Sequence, residues 1–453
     1  MKSRWMGWVA LLLLGACDSL DVPDLNGPEV TDYLDHPTRE QLAELAVGLV
    51  IGAGSEMRGT GLLGEDGYIS TLGILGRESY DLDPTNPGFV LQLLQGPLNG
   101  DFVGLWQHPY RMIRNGNLIL EPLDRVPGLT GDEQNATRGF TETMQALFFL
   151  YIINTRDVLG APVEVGIPPG DHPAAIASKP QVFQHIAGLL DSAALHLAAG
   201  GNAFPFGLGP GFAGFDTPPT YLRFNRALRA RVAVYTGDFP GALSALSASF
   251  LDAGQSLTYG VYNIYNPGEN NLADTTSHTL MAHPSIETDA QLRTDGTNDL
   301  RFQQKLARTE PRKLYGITSD LVFTIYPDDV SPIPIIRNEE LILLRAEANL
   351  GLGDLAAAVQ DLDFIRINAG GLAPYSGPLT PAAVLDELLY NRRYSLLWEG
   401  GHRWIDLRRY GRLQTLPKDL PEHKRFDRVP FPHDDCAAYT PPPAQGCSAE
   451  SGF

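Results

Sequence analysis

The chain contains few cysteines, few positive charges and no long hydrophobic segment. Three of its 453 residues are cysteine, and 34 lysines and arginines stand against 53 acidic residues, for a formal net charge of −19. Proteins that bind nucleic acid or anionic lipid need a basic surface, so this composition argues against both classes of partner. No apolar run reaches the roughly 20 residues of a membrane-spanning helix, and the densest run, 146–153, indicates a buried helix. The charge favours an extracytoplasmic protein that handles neutral or cationic ligands.

Sequence patterns that identify enzymes and metal sites are also missing. The ten histidines are scattered, without zinc spacing, an HExxH pair or a nucleophile elbow. Residues 59–64 fit a GxGxxG pattern, but no strand–helix unit with an acid at the required distance accompanies them. Acidic residues are plentiful, yet no two of them stand out as a glycosidase pair. We therefore predict a protein that is not an enzyme and that uses no metal or cofactor.

The N-terminus has the pattern of an exported lipoprotein. Lys2 and Arg4 precede an apolar run of nine residues, and small residues lead directly to Cys17. This order predicts a signal peptide at 1–16, cleavage before Cys17, and acyl chains such as palmitate on that cysteine. Residues 17–28 are polar and contain proline and glycine, which suits a tether. An ordinary signal peptide with an incidental cysteine is the alternative.

The other two cysteines, Cys436 and Cys447, lie in the C-terminal tail. In an exported protein, a pair at this spacing predicts a disulfide bond, with two free thiols as the alternative. Metal binding is disfavoured because no histidine or cysteine near them completes a zinc pattern.

Residues 29–453 are predicted to form one large domain dominated by helices, and within it one pattern occurs twice. Residues 228–243 and 344–359 both contain a helix, a Gly-Asp turn, a bulky residue and an alanine that opens a second helix. This is the turn of a tetratricopeptide unit. We expect the glycine to adopt the left-handed conformation that ends the first helix, and the aspartate to cap the second. Ala242 and Ala358 would let the two helices approach closely.

The segment 391–409 interleaves arginines and carboxylates with tryptophans, which is unusual for a solvent-exposed helix. The residues that define this signature segment are Arg392, Arg393, Trp398, Glu399, Gly400, Arg403, Trp404, Asp406 and Arg409. Ion pairs would fix the C-terminal helices to their neighbours, with Arg403, Asp406 and Arg409 forming a ladder at i, i+3 and i+6. An anion-binding site is the alternative. The order of these residues resembles the C-terminal signature of the SusD/RagB family of outer-membrane nutrient-binding lipoproteins.

This resemblance implies an all-α fold of about four tetratricopeptide-like helix pairs, with long irregular loops packed on the other side. Units are expected near 105–165, 181–250, 338–370 and 384–411. The implied function is that of a lipid-anchored outer-membrane protein, facing the cell exterior, which binds an oligosaccharide nutrient and delivers it to a SusC-like TonB-dependent transporter. A peptide- or protein-binding tetratricopeptide scaffold is the alternative, and a glycoside hydrolase is a third, less favoured one.

Two aperiodic segments, 77–101 and 259–326, carry side chains of the kind that sugar binding requires. Aromatic rings stack on the C–H face of a pyranose, while amide, carboxylate and guanidinium groups bind its hydroxyls. In starch-binding members of the family that this chain resembles, contacts come partly from the segment before the first helical unit. The candidate residues are Arg77, Tyr80, Asn86, Phe89, Asn99, Asp101, Tyr262 and Tyr265. The alternative for the aromatic residues is packing within the loops.

Replacement of the predicted lipidated cysteine should change where the protein is found. Cys17→Ala removes the acylated thiol, so we expect the variant in the soluble extract while the native chain stays with membranes. Fractionation with immunoblotting measures this, and mass spectrometry of the native N-terminus provides the control. Membrane association of the variant equal to that of the native chain would contradict the prediction.

Overall fold

A computed structural model describes residues 30–58, 67–85, 87–166, 173–274 and 277–453. The predicted signal peptide, Cys17, the tether and Asn86 lie outside the described residues. The part that is described contains sixteen α-helices and eight short strands.

The helices are α1 (Val30–Asp35), α2 (Arg39–Arg58), α3 (Tyr68–Leu75), α4 (Pro87–Gln95), α5 (Gly104–Leu120), α6 (Gly131–Arg156), α7 (Lys179–Ala198), α8 (Pro218–Thr236), α9 (Phe239–Ser247), α10 (Ser285–Thr288), α11 (Leu300–Lys305), α12 (Asn338–Gly351), α13 (Leu355–Asn368), α14 (Pro381–Ser395), α15 (His402–Arg409) and α16 (His433–Ala438). The strands are β1 (Ser79–Asp81), β2 (Ala161–Pro162), β3 (Ile176–Ala177), β4 (Gly260–Asn263), β5 (Leu280–Ala282), β6 (Leu306–Leu314), β7 (Ile317–Phe323) and β8 (Ile333–Arg337).

The long helices pack side by side in chain order. Helix α2 packs on α5, and the series continues through α6, α7, α8 and α9 to α12, which also contacts α13 and α14. At the centre, α6 begins with a capping box between Thr130 and Glu133 and is buried throughout 146–153, as the apolar run predicts. The predicted fold class, all-α with tetratricopeptide-like repeats, is therefore confirmed.

The two predicted tetratricopeptide turns have the expected geometry. Gly237 and Gly353 are left-handed, with φ of 76° and 82°. The Asp238 carboxylate accepts a hydrogen bond from the N–H of the residue three positions on at 3.0 Å, and Asp354 does the same at 3.0 Å. Ala242 and Ala358 are fully buried, as close helix packing requires. Both turns therefore follow from local sequence alone.

The aperiodic segments contain more regular structure than their sequences indicate. Strands β1, β5, β7 and β6, in that spatial order, form an antiparallel sheet, and β4 pairs with β8. The hairpin β6–β7 lies in a region predicted to be irregular. Strand β6 is an edge strand with mostly exposed, charged side chains, so it lacks the alternation of apolar residues that identifies a strand.

The C-terminal tail is tied back to the body of the protein. Cys436, at the end of α16, forms a disulfide bond with Cys447. Farther along, the N–H of Leu98 donates to the carbonyl of Glu450 at 2.9 Å, and the N–H of Glu450 donates back at 2.7 Å. The tail therefore borders the segment 77–101. Among the described residues, no helix has both the length and the apolar character that crossing a bilayer requires.

Candidate functional site

Glu399, in the signature segment, is a buried carboxylate that holds two cations. Arg337, the last residue of β8, donates from Nε and Nη2 at 2.8 and 2.9 Å, and Lys305 donates from Nζ at 3.0 Å. Burial by itself would raise the pKa of Glu399, but Arg337 and Lys305 outweigh burial and lower it to about 2. The carboxylate is therefore ionised and joins α11, β8 and the end of α14.

The residue before it, Trp398, has a backbone conformation that costs free energy. Its φ is +61°, which is unusual for a residue with a large side chain. The indole stacks on Phe323 at 4.6 Å with 8° between the planes, and the main-chain carbonyl accepts from the Tyr326 hydroxyl at 2.8 Å. These contacts stabilise the strained turn that leads through Gly401, which is also left-handed, into α15.

The rest of the signature segment is paired within the fold. Asp406 accepts from Arg392 Nε at 2.6 Å and from Arg409 Nη1 at 3.1 Å, and Arg409 also binds the fully buried Glu347. The i, i+3 step of the predicted ladder is present between Asp406 and Arg409. Arg403 does not join it, because its Nη1 donates to the carbonyl of Arg77 at 2.8 Å.

The remaining signature side chains also contact the protein itself. Arg393 pairs with Asp289 at 2.7 Å, and the buried indole of Trp404 donates to the carbonyl of Phe426 at 2.7 Å. With its cations occupied by internal carboxylates and carbonyls, this segment has the geometry of a structural cluster rather than of an anion site.

Two candidate binding residues of the segment 77–101 lie in the core. Arg77 is fully buried, and its Nη1 donates to the carbonyl of Ile74 at 2.7 Å. Tyr80 is also fully buried because it lies on β1, and its hydroxyl donates to Asp419 Oδ2 at 2.5 Å. Burial raises the pKa of Tyr80. Neither side chain presents a face to a ligand in this structure.

The tyrosines of the second segment pack against the protein. Tyr265 is 6% exposed, and its hydroxyl donates to the carbonyl of Gly54 at 3.0 Å. Tyr262 is half-buried, with its hydroxyl bound to the carbonyl of Thr258, and burial raises its pKa to about 12. This region therefore offers less aromatic surface than its sequence predicts.

Three candidate residues remain accessible and lie around α4. Phe89 is half-buried, with its ring 5.5 Å from that of Phe102. Asn99 Oδ1 accepts from the N–H of Asp101 at 3.1 Å, and Asp101 Oδ2 accepts from Gln92 Nε2 at 3.2 Å. We call Phe89, Gln92, Asn99 and Asp101 the α4 surface. It combines one aromatic ring with amide and carboxylate groups.

The tertiary structure also joins Ser285, His283 and Asp419, which sequence reasoning does not connect. Ser285 Oγ lies 2.9 Å from His283 Nδ1, and His283 Nε2 lies 2.9 Å from Asp419 Oδ1. This order is that of a hydrolase triad, but the serine N–H also donates to His283 Nδ1, and Arg393 donates to Ser285 Oγ at 2.8 Å. The histidine thus holds the start of α10, and its ring is buried. These contacts fit a structural role.

A small interior cavity of about 20 Å³ lies beside the signature segment. Its lining includes Tyr151, Arg231, Gly400 and His402. Burial lowers the pKa of His402 to about 4, so its ring is neutral at physiological pH. The space suffices for about one water molecule and not for a sugar. Within the described ranges, no group of three or more histidine, cysteine or acidic side chains is arranged to hold a metal ion.

Comparison with known proteins agrees with the signature and the fold. Residues 329–442 match the sequence model of the SusD family, whereas no curated protein matches the chain. A SusD superfamily protein from Bacteroides vulgatus is 18% identical, with 89% of this chain and 97% of that chain covered and a TM-score of 0.68. A laminarin-binding SusD-like protein is 17% identical over 88% and 97%, with a TM-score of 0.63.

A SusD-like carbohydrate-binding protein from Bacteroides fragilis is 16% identical, covers 93% and 95% of the two chains and has a TM-score of 0.64. At these identities the structures show a shared fold, and the sequence model covers the signature segment. Residues 329–442 are thus similar in sequence to the SusD family, and the chain shares its fold with SusD-like proteins.

Neutralising the central carboxylate should destabilise the protein. Glu399→Gln leaves Arg337 and Lys305 buried without that counter-ion, so we expect a loss of about 3–5 kcal/mol in the free energy of unfolding. Urea denaturation measures it, with Glu422→Gln, at an exposed position, as the control. Equal midpoints for the two variants would contradict the structural role of Glu399.

The stabilisation that the Glu399 carboxylate provides should depend on pH. Because the folded-state pKa of Glu399 is about 2, against an ordinary value of 4.5, its stabilisation is complete above pH 4.5 and is lost as pH falls toward 2. The difference in the free energy of unfolding between the native chain and Glu399→Gln should therefore become smaller as the pH falls from 4.5 to 2.

Proposed function

We propose that this protein is a surface-exposed lipoprotein that binds a nutrient oligosaccharide and delivers it to a SusC-like TonB-dependent outer-membrane transporter. The observation that carries the proposal is the α4 surface, where a half-buried ring lies beside polar side chains on α4 and the loop that follows it. Proteins of the same fold include one described as laminarin-binding and one described as carbohydrate-binding.

The α4 surface has the chemistry that a sugar requires. The Phe89 ring offers an apolar face for pyranose C–H groups, and its packing on Phe102 fixes its orientation. Gln92, Asn99 and Asp101 supply donors and acceptors for hydroxyls. Their mutual hydrogen bonds preorganise them, which lowers the entropy lost on binding. Since the interior cavity is too small for a sugar, this surface is the better candidate site.

The helical side suits a protein partner. It carries exposed apolar side chains, including Leu195 on α7, 75% exposed, and Leu352 at the second tetratricopeptide turn, 49% exposed. Stacked helix pairs form extended surfaces of this kind. A lipid at Cys17 and a polar tether at 17–28 would keep the body at the membrane while permitting hinge motion relative to a transporter. The loop side would then remain available for cargo.

Removal of the Phe89 ring should weaken sugar binding without unfolding the protein. We expect Phe89→Ala to reduce affinity about tenfold, as for the loss of one stacking contact, in calorimetric titration with oligosaccharides identified on a glycan array. Tyr375→Ala removes another half-buried ring far along the chain and serves as the matched control. Native affinity in Phe89→Ala would remove the α4 surface from the proposal.

Measurements of stability should distinguish a core residue, Tyr80, from a residue of the α4 surface, Phe89. Tyr80→Ala should lower the free energy of unfolding by about 3–5 kcal/mol because the ring is fully buried, while Phe89→Ala should change it much less.

The partner is tested by isolation from cells grown on the inducing nutrient. Purification in mild detergent through a tag on this chain should recover a large β-barrel transporter in comparable amount. Recovery of the chain alone would leave a free-standing binding protein and overturn the delivery role.

A further inference from the structure

Several positive charges of this acidic chain lie next to the α4 surface without ion pairs. Of the lysines that the structure describes, Lys179 pairs with Asp157 and Lys305 with Glu399. The other three, Lys313, Lys418 and Lys424, form no ion pair with any described residue. Lys313 and Lys418 are exposed, and Lys424 is half-buried. Unlike the cations of the signature segment, these side chains are not part of an internal network.

Tertiary contacts place Lys418 and Lys424 near each other and near the end of α4. The turn after β6 meets the segment 418–420, because a Cβ atom at Gly316 would lie 2.4 Å from Leu420 Cγ. The N–H of Lys424 donates to the carbonyl of Leu94, near the end of α4, at 2.6 Å. Arg425 follows, with its Nε donating to the carbonyl of Leu416 at 2.8 Å. We call Lys418, Lys424 and Arg425 the basic rim.

Among the described residues, no carboxylate forms an ion pair with the basic rim. Asp419 accepts from the Tyr80 hydroxyl at 2.5 Å and from His283 Nε2 at 2.9 Å, so its charge is directed into the core. Glu422 is the exposed acid of the segment. The N–H of Arg425 donates at 2.9 Å to an oxygen of the C-terminal residue, Phe453. Beneath the rim, the buried guanidinium of Arg77 donates to the carbonyl of Lys424, and its Nε has no hydrogen-bond partner.

The positive charges of the basic rim and of Arg77 repel one another. The pKa of Lys418 lies below its ordinary value because of local desolvation and because Arg425, Lys424 and Arg77 are close. Such repulsion is unfavourable in the free protein and is relieved when an anion binds. Because salt screens charges beyond about 10 Å at 0.1 M, an anion at the rim responds to these cations more than to the distant acids that make the net charge −19.

We propose that the α4 surface and the basic rim together bind a saccharide that carries negative charge, as uronate, sulfate or phosphate. This rests on the proposed function and adds the class of its ligand. It departs from the expectation, drawn from net charge alone, of a neutral or cationic ligand. The sugar ring would lie against Phe89, and its anionic group would lie toward Lys424 and Lys418.

The test compares acidic with neutral oligosaccharides of equal length. Titrations at 20 and 200 mM NaCl would use a panel of uronate, sulfated and phosphorylated oligomers beside a neutral glucan series. We expect an acidic oligomer to bind, more weakly at the higher salt, and the double variant K418A/K424A to bind it roughly tenfold more weakly at 20 mM. R223A removes another exposed cation without an ion pair, on α8, and should bind like the native chain.

The outcomes separate this inference from the function on which it rests. Binding of neutral oligomers alone, or native affinity in K418A/K424A, would overturn the anionic ligand and leave oligosaccharide binding intact. Failure of every saccharide to bind would overturn both. Melting temperatures close to native are expected for K418A/K424A because Lys418 is exposed and Lys424 is held through its main chain. K418E/K424E, with its reversed charge, should lose acidic oligomers and keep any neutral ones.

Discussion

The ionised, buried carboxylate of Glu399 is the constraint on which the packing of the C-terminal half depends. It joins Lys305 at the end of α11, Arg337 at the end of β8 and the segment after α14, which are far apart along the chain. Each of these charges would be costly to bury alone, so each requires the others. The strained backbone of Trp398 is held beside them by Phe323 and Tyr326, and this turn in the chain directs α15 toward α12 and α8.

A second polar network fixes the loop side in a comparable way. Asp419 binds Tyr80 on β1 and His283 after β5, and so attaches the segment 413–427 to the sheet. The carboxylate points inward, while the neighbouring Lys418 is exposed and Lys424, whose N–H binds the carbonyl of Leu94 on α4, is half-buried. The same interaction therefore stabilises the fold and leaves Asp419 without an ion pair to either lysine.

The two halves of the molecule have different physical requirements. The helical half is a continuous stack in which each helix packs on its neighbours, so its architecture is repetitive. The loop half cannot rely on repetition and is held by a small sheet, the disulfide in the tail and specific polar contacts. A binding protein benefits from this division, since preorganised loops on a rigid support lose little entropy when a ligand binds.

Local sequence determined the features whose physical cause is local. The left-handed glycines at 237 and 353, the aspartate caps that follow them and the buried helix at 146–153 all depend on neighbours within a few residues. The role of Tyr80 could not be predicted, because its partner Asp419 is 339 residues away. The sequence shows an aromatic residue in an aperiodic segment, and only the pairing of β1 with β5 placed that ring in the core, whereas Phe89 on α4 is half-buried.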